Sequence, residues 1–552
     1  METELEHTPT VAAHAAARAP AHDEPAAGRG AHGAPAHARR ADPIAVLACA
    51  LCLVTVVALG AMVAISAFDH SYADDWHYGV DAHLALEAGE GLAGAVAAAL
   101  QQTVDTFDTW QGTYSAIFLM SLQPGVFSES LYGLGAVFIM AALVLATAYA
   151  VGIAVREVAG GDRASWLALT CLVLLLQTQL VPSPVEAFWW YNSAIYYTFY
   201  HALMLVGAGL SVRLLRGRTR RGELSGAGTV ARTLLLAAVA FVVAGGNFVT
   251  GIVCALALAA ATAAGIWRVR GRALALVPAL VILVAGFACS MAAPGNAARQ
   301  ETQFPGDGAG VVGTIVRSGL AGVEYSVLWV NGLLVVALLL AVPVFWRIAR
   351  RGSASFRLPA VPAAVALALF MASFTPTFFS MGNVGPGRVQ NIRYDFFVLA
   401  VFLCAGWLVG WLARRQERSG AGALDAAAAG PWARCLPPAR ALPVYLGAVM
   451  LALVVAVAAF GVDERHRDDL TSLSAAASLI SGEAADYDEQ VRARLAYLEE
   501  TPERSVEVAY YTAGPKVLFM GDIRDNMDNY MNFRLAQWYG KDSVIGYNPN
   551  LR

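Results

Sequence analysis

Long apolar runs recur along this 552-residue chain, and they constrain its fold more than any other feature. A helix of roughly 20 apolar residues crosses a bilayer core of about 30 Å. Hydrophobic residues make up 57% of the chain and charged residues 14%, whereas soluble proteins carry about 25% charged residues. The sequence therefore predicts a polytopic, mainly α-helical membrane protein. A net charge of −3 gives no indication of a nucleic-acid partner.

The apolar runs predict eleven transmembrane helices. We place them at 43–67, 131–155, 165–182, 195–212, 230–245, 248–266, 273–291, 323–345, 359–380, 395–413 and 442–461. Arg-rich loops such as "RLLRGRTRRGE" and "FWRIARRGSASFR" alternate with acidic or mixed ones. Because Arg-rich loops favour the cytoplasmic side, we expect a multi-pass protein of the cell membrane, with a cytoplasmic N-terminus and an extracytoplasmic C-terminus.

Three regions differ in composition. Residues 1–40, rich in Ala, His, Pro and Gly, predict a disordered cytoplasmic tail. Residues 41–461 form the membrane domain, whose first outer loop, 68–130, predicts helices lying in the membrane interface. Residues 462–552 have soluble composition, with strand-like "SVEVAYY" and "KVLFM", and predict a small extracytoplasmic α/β domain. None of the seven Cys lies in a segment assigned outside, so we expect no disulfide framework.

Two adjacent carboxylates, Asp74 and Asp75, open the first outer loop in "YADDWHYG". Neighbouring acids raise each other's proton affinity, which suits one of them to act as a general base. The competing interpretation is a solvated pair that marks a helix end. Aromatic neighbours such as Trp76 favour the catalytic interpretation. Asp74 is preferred as the base, since Asp75 is placed to cap a helix beginning here.

The segments assigned outside also contain aromatic and polar side chains suited to binding a sugar. They come from "DTFDTWQGTYS", "EAFWWYNSAIYYTFYH" and "AGGNFVTG". With Trp76, the candidates for substrate binding are Trp110, Gln111, Tyr114, Glu186, Tyr191, Asn192, Tyr196 and Asn247. Trp and Tyr are equally typical of an interfacial aromatic belt, and Asn247 beside a Gly pair is equally typical of a tight turn. Both alternatives stay open.

Arginines in two further outer segments predict an anion site. "APGNAARQ" contains Asn296 and Arg299, and "GPGRVQNIRYD" contains Arg388, Asn391 and Arg393. Arg on the outer side of the membrane runs against the usual excess of positive charge in cytoplasmic loops. Its guanidinium group matches phosphate oxygens. The alternative is that these arginines pair with outer carboxylates. The whole set predicts a membrane-surface site for an amphiphile that carries a phosphate and a sugar.

Six motifs in this order resemble a bacterial family of polytopic membrane proteins of unassigned function, which is similar to the GT-C superfamily of membrane glycosyltransferases. They are "ADDWHYG", "WQGTYS", "EAFWWYNSAIYYTF", "GGNFVT", "APGNAAR" and "GPGRVQNIRYDFF", and the resemblance spans residues 43–545. The similarity to GT-C enzymes rests on architecture and on the carboxylates.

The resemblance implies a GT-C-like fold, a polyprenyl-phosphate-linked sugar as donor, and an envelope glycan or lipid as acceptor. It implies that Asp74 or Asp75 acts as the acid of the first outer loop and that Arg388 or Arg393 holds the lipid phosphate. Some GT-C enzymes need a divalent cation. No clear further ligand set stands out here, so a metal stays open.

Other classes of protein remain as alternatives to a glycosyltransferase. A glycan polymerase or ligase would use the arginines without the carboxylate pair. A lipid-linked-sugar transporter would place charges at mid-membrane on broken helices, and few charged residues lie there. A receptor or scaffold would lack an enclosed cavity beside the carboxylates.

Overall fold

Helices dominate the computed structural model, which describes residues 41–418, 440–463 and 465–549. Among these residues, ten helical segments are long and apolar enough to cross a membrane. The prediction of a polytopic helical membrane protein is therefore confirmed. The predicted tail, residues 1–40, and Cys435 lie outside the described residues.

The helices and strands follow one another in three stretches. The first stretch contains α1 (Pro43–Ile65), α2 (Asp74–Glu87), α3 (Gly91–Thr109), α4 (Tyr114–Ser121), α5 (Leu134–Gly152), α6 (Arg163–Gln179), α7 (Tyr191–Tyr196) and α8 (Thr198–Arg216). The second contains β1 (Arg218–Thr219), β2 (Gly222–Glu223), α9 (Gly226–Ala244), α10 (Phe248–Val269), α11 (Val277–Met291), α12 (Pro294–Gln303), α13 (Gly310–Leu328) and α14 (Gly332–Arg351). The third contains α15 (Ala360–Ala372), α16 (Thr375–Met381), α17 (Gly387–Arg418), α18 (Leu442–Val462), α19 (Thr471–Ser481), α20 (Glu483–Glu500), β3 (Ser505–Ala509), α21 (Tyr530–Trp538) and β4 (Ser543–Tyr547).

Short polar side chains set where several membrane helices begin. The side chain of Asp42 accepts a hydrogen bond from the backbone N–H of Ile44 at the start of α1, where Pro43 occupies the first position. Asn247 and Asn331 accept equivalent bonds at the starts of α10 and α14. Such caps satisfy backbone N–H groups that the helix itself leaves unpaired.

The spans differ from the predicted ones at two places. α6 is 17 residues long and mostly buried by other helices, so it is not among the ten candidate spans. The predicted span 323–345 is interrupted, because α13 ends at Leu328 and Asn331 starts α14. The predicted spans 248–266 and 273–291 correspond to α10 and α11, which are separated at Arg270, whose φ is 36°, although the whole segment Phe248–Met291 counts as one of the ten candidates.

The loops fall into two groups that meet at opposite ends of the bundle. At the Arg-rich end, Arg347 forms ion pairs with Asp42 and Asp162. At the same end, Arg213 pairs with Glu157, and Arg414 donates to the carbonyl of Gly352. The loops predicted to be cytoplasmic thus contact one another, which reproduces the predicted alternation. Which end faces the cytoplasm stays a prediction.

The segment after α18 packs against the first long loop, at the other end of the bundle. β3 and β4 pair in parallel from Ser505 opposite Ser543 to Ala509 opposite Tyr547. Trp76 of α2 shares a core with Val506 and Val544 of these strands. "SVEVAYY" forms β3 as expected, but "KVLFM" does not form a strand. It is a turn after Pro515, whose carbonyl accepts from the N–H of Leu518.

Candidate functional site

A cavity of about 1600 Å³ lies where the loops opposite the Arg-rich end meet. Its wall combines parts of the first loop, the segment 190–197, the starts of α10, α12 and α17, and the C-terminal α21. Nine predicted site residues line it, namely Asp74, Trp110, Gln111, Asn192, Tyr196, Asn247, Asn296, Arg299 and Arg388. Residues from six separate sequence motifs therefore meet in one space. We call this space the cavity below.

Asp74 supplies the carboxylate of the cavity wall. It is the first residue of α2 and follows Ala73, whose φ of 49° turns the chain into the helix. Its side chain is half-buried and accepts a hydrogen bond of 2.8 Å from the hydroxyl of Tyr530. Since no other acidic residue lines the cavity in the described part of the chain, Asp74 is its candidate base.

Asp75 points the other way and is fully buried. Its oxygens accept hydrogen bonds from the Tyr132 hydroxyl at 2.6 Å and from the backbone N–H groups of Tyr72 and Asn192. Burial, together with the nearby Asp74, raises the pKa of Asp75 to about 8 despite these donors. The prediction that Asp75 caps this helix is wrong, because no side chain caps the start of α2. Asp75 instead accepts from Tyr72 and from a distant segment, and so holds the wall from behind.

Three arginines face the cavity, and each lies against an aromatic ring. Arg388 lies 5.4 Å from the ring centre of Trp190 and forms an ion pair of 3.2 Å with Glu186. Arg299 lies over Trp110 and donates to the side-chain oxygen of Gln111. Flat contacts of this kind hold a guanidinium in place while its edge stays free to bind an anion.

Arg534 reaches the cavity from the C-terminal α21 and lies 5.2 Å from the ring centre of Tyr530. Among the described residues, neither Arg534 nor Arg299 has an acidic partner within ion-pair distance. The Nε atoms of both are buried without a hydrogen-bond partner. With one cavity-lining carboxylate against three arginines, the cavity has an excess of positive charge, which attracts anions.

One side of the cavity is apolar. It is formed by Phe248, Val249 and Ile252 at the start of α10, by Phe287 of α11 and by Phe379 of α16. α10, α11 and α16 belong to candidate membrane spans. The cavity therefore joins a cationic polar region to apolar surface of the membrane helices, an arrangement that suits a phosphate-bearing amphiphile.

Seven predicted site residues lie behind the cavity wall, namely Asp75, Trp76, Tyr114, Glu186, Tyr191, Asn391 and Arg393. Glu186 is buried and contacts the cavity through Arg388. Tyr114 donates to the carbonyl of Phe241. Asn391 makes two hydrogen bonds with the backbone of Ser183 and thereby joins α17 to the segment before α7.

Arg393 is buried completely, and its guanidinium is used within the protein. It donates to the carbonyls of Ser373 and Val384 and to the hydroxyl of Thr377, and it lies over the ring of Phe374. These bonds fasten the segment around α16 to α17. Of the two arginines proposed to hold phosphate, Arg388 is the one that faces the cavity.

The cavity wall also includes residues outside the predicted set of site residues, among them His77, Tyr78, Trp190, Ser193, Tyr197, Tyr530 and Arg534. His77 follows Asp74 by one helical turn, and that spacing could have identified it. Its burial, aided by Arg534, lowers its pKa to about 4, so the imidazole is neutral near pH 7. Tyr530 has no such local signal, because it lies 456 residues from Asp74.

Fold and cavity together define a multi-pass helical membrane protein with a cationic, amphiphilic cavity at one end of its bundle. Comparison of the chain with protein-family models, with curated proteins and with solved structures found no match. Among the described residues, no group of three or more His, Cys, Asp or Glu side chains is arranged to hold a metal ion.

Proposed function

We propose that this protein is a GT-C-like membrane glycosyltransferase. It moves a sugar from a polyprenyl-phosphate-linked donor to an envelope glycan or lipid on the outer face of the cell membrane. One observation carries the proposal: Asp74 and three arginines line a single cavity that continues along the apolar start of α10 and the end of α11. The motif resemblance supports the same class by analogy.

Asp74 acts as the general base in this reaction. It accepts the proton of the acceptor hydroxyl while that oxygen forms a bond to the anomeric carbon of the sugar. The bond from this carbon to the phosphate oxygen breaks, and the lipid phosphate leaves with the electron pair. Tyr530, which donates to Asp74, orients the carboxylate for this step.

Arg388 and Arg299 stabilise the charge that develops on the leaving phosphate. Glu186 and Trp190 hold Arg388 in place, and Gln111 and Trp110 hold Arg299. Preformed contacts of this kind avoid reorganisation when the charge appears. The apolar start of α10 and the end of α11 receive the first units of the polyprenyl chain.

A divalent cation fits the residues of this cavity poorly. Mg²⁺ and Ca²⁺ prefer several oxygen ligands, with carboxylates among them. Asp74 is the single acidic residue on the described wall, and its neighbours are arginines. We therefore route no step through a metal.

The test is transfer by the purified protein from labelled polyprenyl-phosphate sugars to envelope glycans. We expect Asp74→Asn to lower the rate by about 10²–10⁴-fold while the protein stays folded and still binds the donor. Asp75→Asn is the matched neighbour, and we expect it to retain far more activity. Transfer that survives unchanged in Asp74→Asn would remove the assigned base.

A glycan polymerase or ligase is the second candidate, and the three arginines of the wall favour it. Such an enzyme would hold a lipid-linked phosphate or diphosphate with these arginines and would work without Asp74. Full activity in Asp74→Asn, combined with loss in Arg388→Gln, would support this candidate over the first.

A further inference from the structure

Two neighbouring polar side chains on the cavity wall lack hydrogen-bond partners. Asn192 is 2% exposed and Ser193 is 3% exposed. Both amide atoms of the Asn192 side chain and the hydroxyl oxygen of Ser193 are buried without a partner. Buried polar groups are nearly always paired, and leaving one unpaired is costly. Because both side chains line the cavity, a ligand is the natural source of their partners.

The backbone around these residues is held from behind, which frees the side chains. Trp190 adopts an extended conformation, with ψ of 101°, before α7 begins at Tyr191. The N–H of Asn192 donates to Asp75, and the N–H of Tyr191 donates to the Tyr132 hydroxyl, which itself donates to Asp75. The turn is therefore fixed by the protein core, and its unpaired side chains belong to residues of the cavity wall.

These side chains match the chemistry of a sugar. A carboxamide offers two donors and an acceptor, and a hydroxyl offers one donor and two acceptor lone pairs. Vicinal sugar hydroxyls need this mixture of donors and acceptors. A phosphate only accepts, so the carboxamide oxygen would stay unpaired against it. Trp190, which holds Arg388, lies just before them and adds an aromatic surface beside the phosphate region.

We propose that Asn192 and Ser193 form the subsite that binds hydroxyl groups of the donor sugar, next to the phosphate held by Arg388. This inference rests on the proposed function and adds that different parts of the cavity bind different parts of the donor. Arginines bind the phosphate, and the Asn192–Ser193 pair selects the glycosyl group.

The experiment compares a phosphate probe with and without a sugar on the full-length protein in detergent. The probes are radiolabelled farnesyl phosphate and its mannosyl, glucosyl, galactosyl and arabinosyl esters. For the wild type, we expect at least one ester to bind about tenfold or more tightly than farnesyl phosphate, as two or more added hydrogen bonds would give. We call this ratio the sugar gain.

In the double variant Asn192→Ala, Ser193→Ala, we expect the sugar gain to vanish while farnesyl phosphate binds as in the wild type. Arg388→Gln should show the opposite pattern, with weaker binding of farnesyl phosphate itself. Unchanged phosphate binding also demonstrates that the double variant is folded. A sugar gain that persists in the double variant, or that no ester produces in the wild type, overturns the subsite. Wild-type protein that does not bind farnesyl phosphate contradicts the proposed function instead.

Discussion

Asp74 and Asp75 are neighbours in sequence with opposite environments. Asp74 faces the cavity and accepts from Tyr530. Asp75 is buried and accepts hydrogen bonds from the backbone N–H groups of Tyr72 and Asn192 and from the hydroxyl of Tyr132. At the start of a helix, consecutive side chains point about 100° apart. A rotation of about 100° between consecutive residues therefore separates a solvent-accessible acid from one buried in the core.

The raised pKa of Asp75 predicts a pH-dependent stability. A carboxyl that titrates near 8 when folded and near 4 when unfolded binds more protons in the folded state between these values, so stability falls as pH rises through this window. Asp75→Asn imitates the protonated form and should remove this loss, which is on the order of a few kcal/mol.

The measurement is the thermal unfolding midpoint between pH 5 and 9 in detergent. We expect the midpoint of Asp75→Asn to rise relative to the wild type with increasing pH, and Asp81→Asn, at an exposed position of the same helix, is the control. Burial and the nearby Asp75 raise the pKa of Asp69 too, so Asp75→Asn also lowers the pKa of Asp69 and shifts the midpoint in the same direction. Parallel curves for Asp75→Asn and the wild type would contradict the prediction.

At the scale of elements, close backbone contacts hold the first loop against the membrane helices. A Cβ at Gly112 would lie 1.9 Å from the carbonyl oxygen of Ser290. The hydroxyl of Ser290 donates to the carbonyl of Gly112, whose N–H donates to Asn296. These bonds hold Trp110 and Gln111 against the cavity.

Gly112→Ala should force this segment away from the end of α11. We expect a stability loss on the order of 1–3 kcal/mol, as for other overpacked sites, and weaker binding of farnesyl phosphate through Arg299. Gly60→Ala is the matched control, because Gly60 lies in α1 and a Cβ there would meet nothing within 4 Å. Equal unfolding midpoints for the two variants would show that the contact between Gly112 and Ser290 is not tight.

A comparison of Arg393 with Arg388 distinguishes a structural role from a phosphate-binding role. Arg393→Met leaves the carbonyls of Ser373 and Val384 and the hydroxyl of Thr377 without their donor. Each buried acceptor left unpaired costs about 1–3 kcal/mol, so we expect a clear fall in the unfolding midpoint. Arg388→Met, at a partly exposed position, should change the midpoint less and phosphate binding more. The reverse pattern would indicate that Arg393, rather than Arg388, binds the phosphate.

For the whole molecule, the C-terminal segment completes the cavity. Tyr530 and Arg534 line it from α21, while Trp76 packs in the core of this segment. Tyr530→Phe removes the donor to Asp74 and keeps the ring. We expect a transfer rate roughly tenfold lower with an unchanged unfolding midpoint. Tyr497→Phe, at an exposed position on α20, is the control. Equal activity in both variants would exclude an orienting role for Tyr530.

The proposed orientation is a further property of the whole molecule, and it has a direct test. In a variant without native cysteines, an impermeant maleimide added to intact cells should label Gln101→Cys on α3. It should label Arg220→Cys, in the Arg-rich hairpin of β1 and β2, only after lysis. Labelling in the opposite order would place the Arg-rich end outside and remove the cavity from the outer face.

Local patterns in the sequence predicted the class of fold and the loops that contain the site. Apolar runs predicted the membrane helices, because crossing a bilayer demands them locally. The alternation of Arg-rich loops predicted which loops meet, as the ion pairs of Arg347 with Asp42 and Asp162 illustrate. Motifs in the remaining loops supplied nine of the residues that line the cavity.

The packing of the helices sets which of these residues face the cavity. It turned Asp74 inward to the cavity and Asp75 to the core, and it used Arg393 for internal bonds. It also brought Tyr530 to Asp74 across 456 residues. Sequence patterns report local demands such as periodicity, charge and capping. Side-chain direction and distant contacts depend on how all the helices pack, so no local pattern contains them.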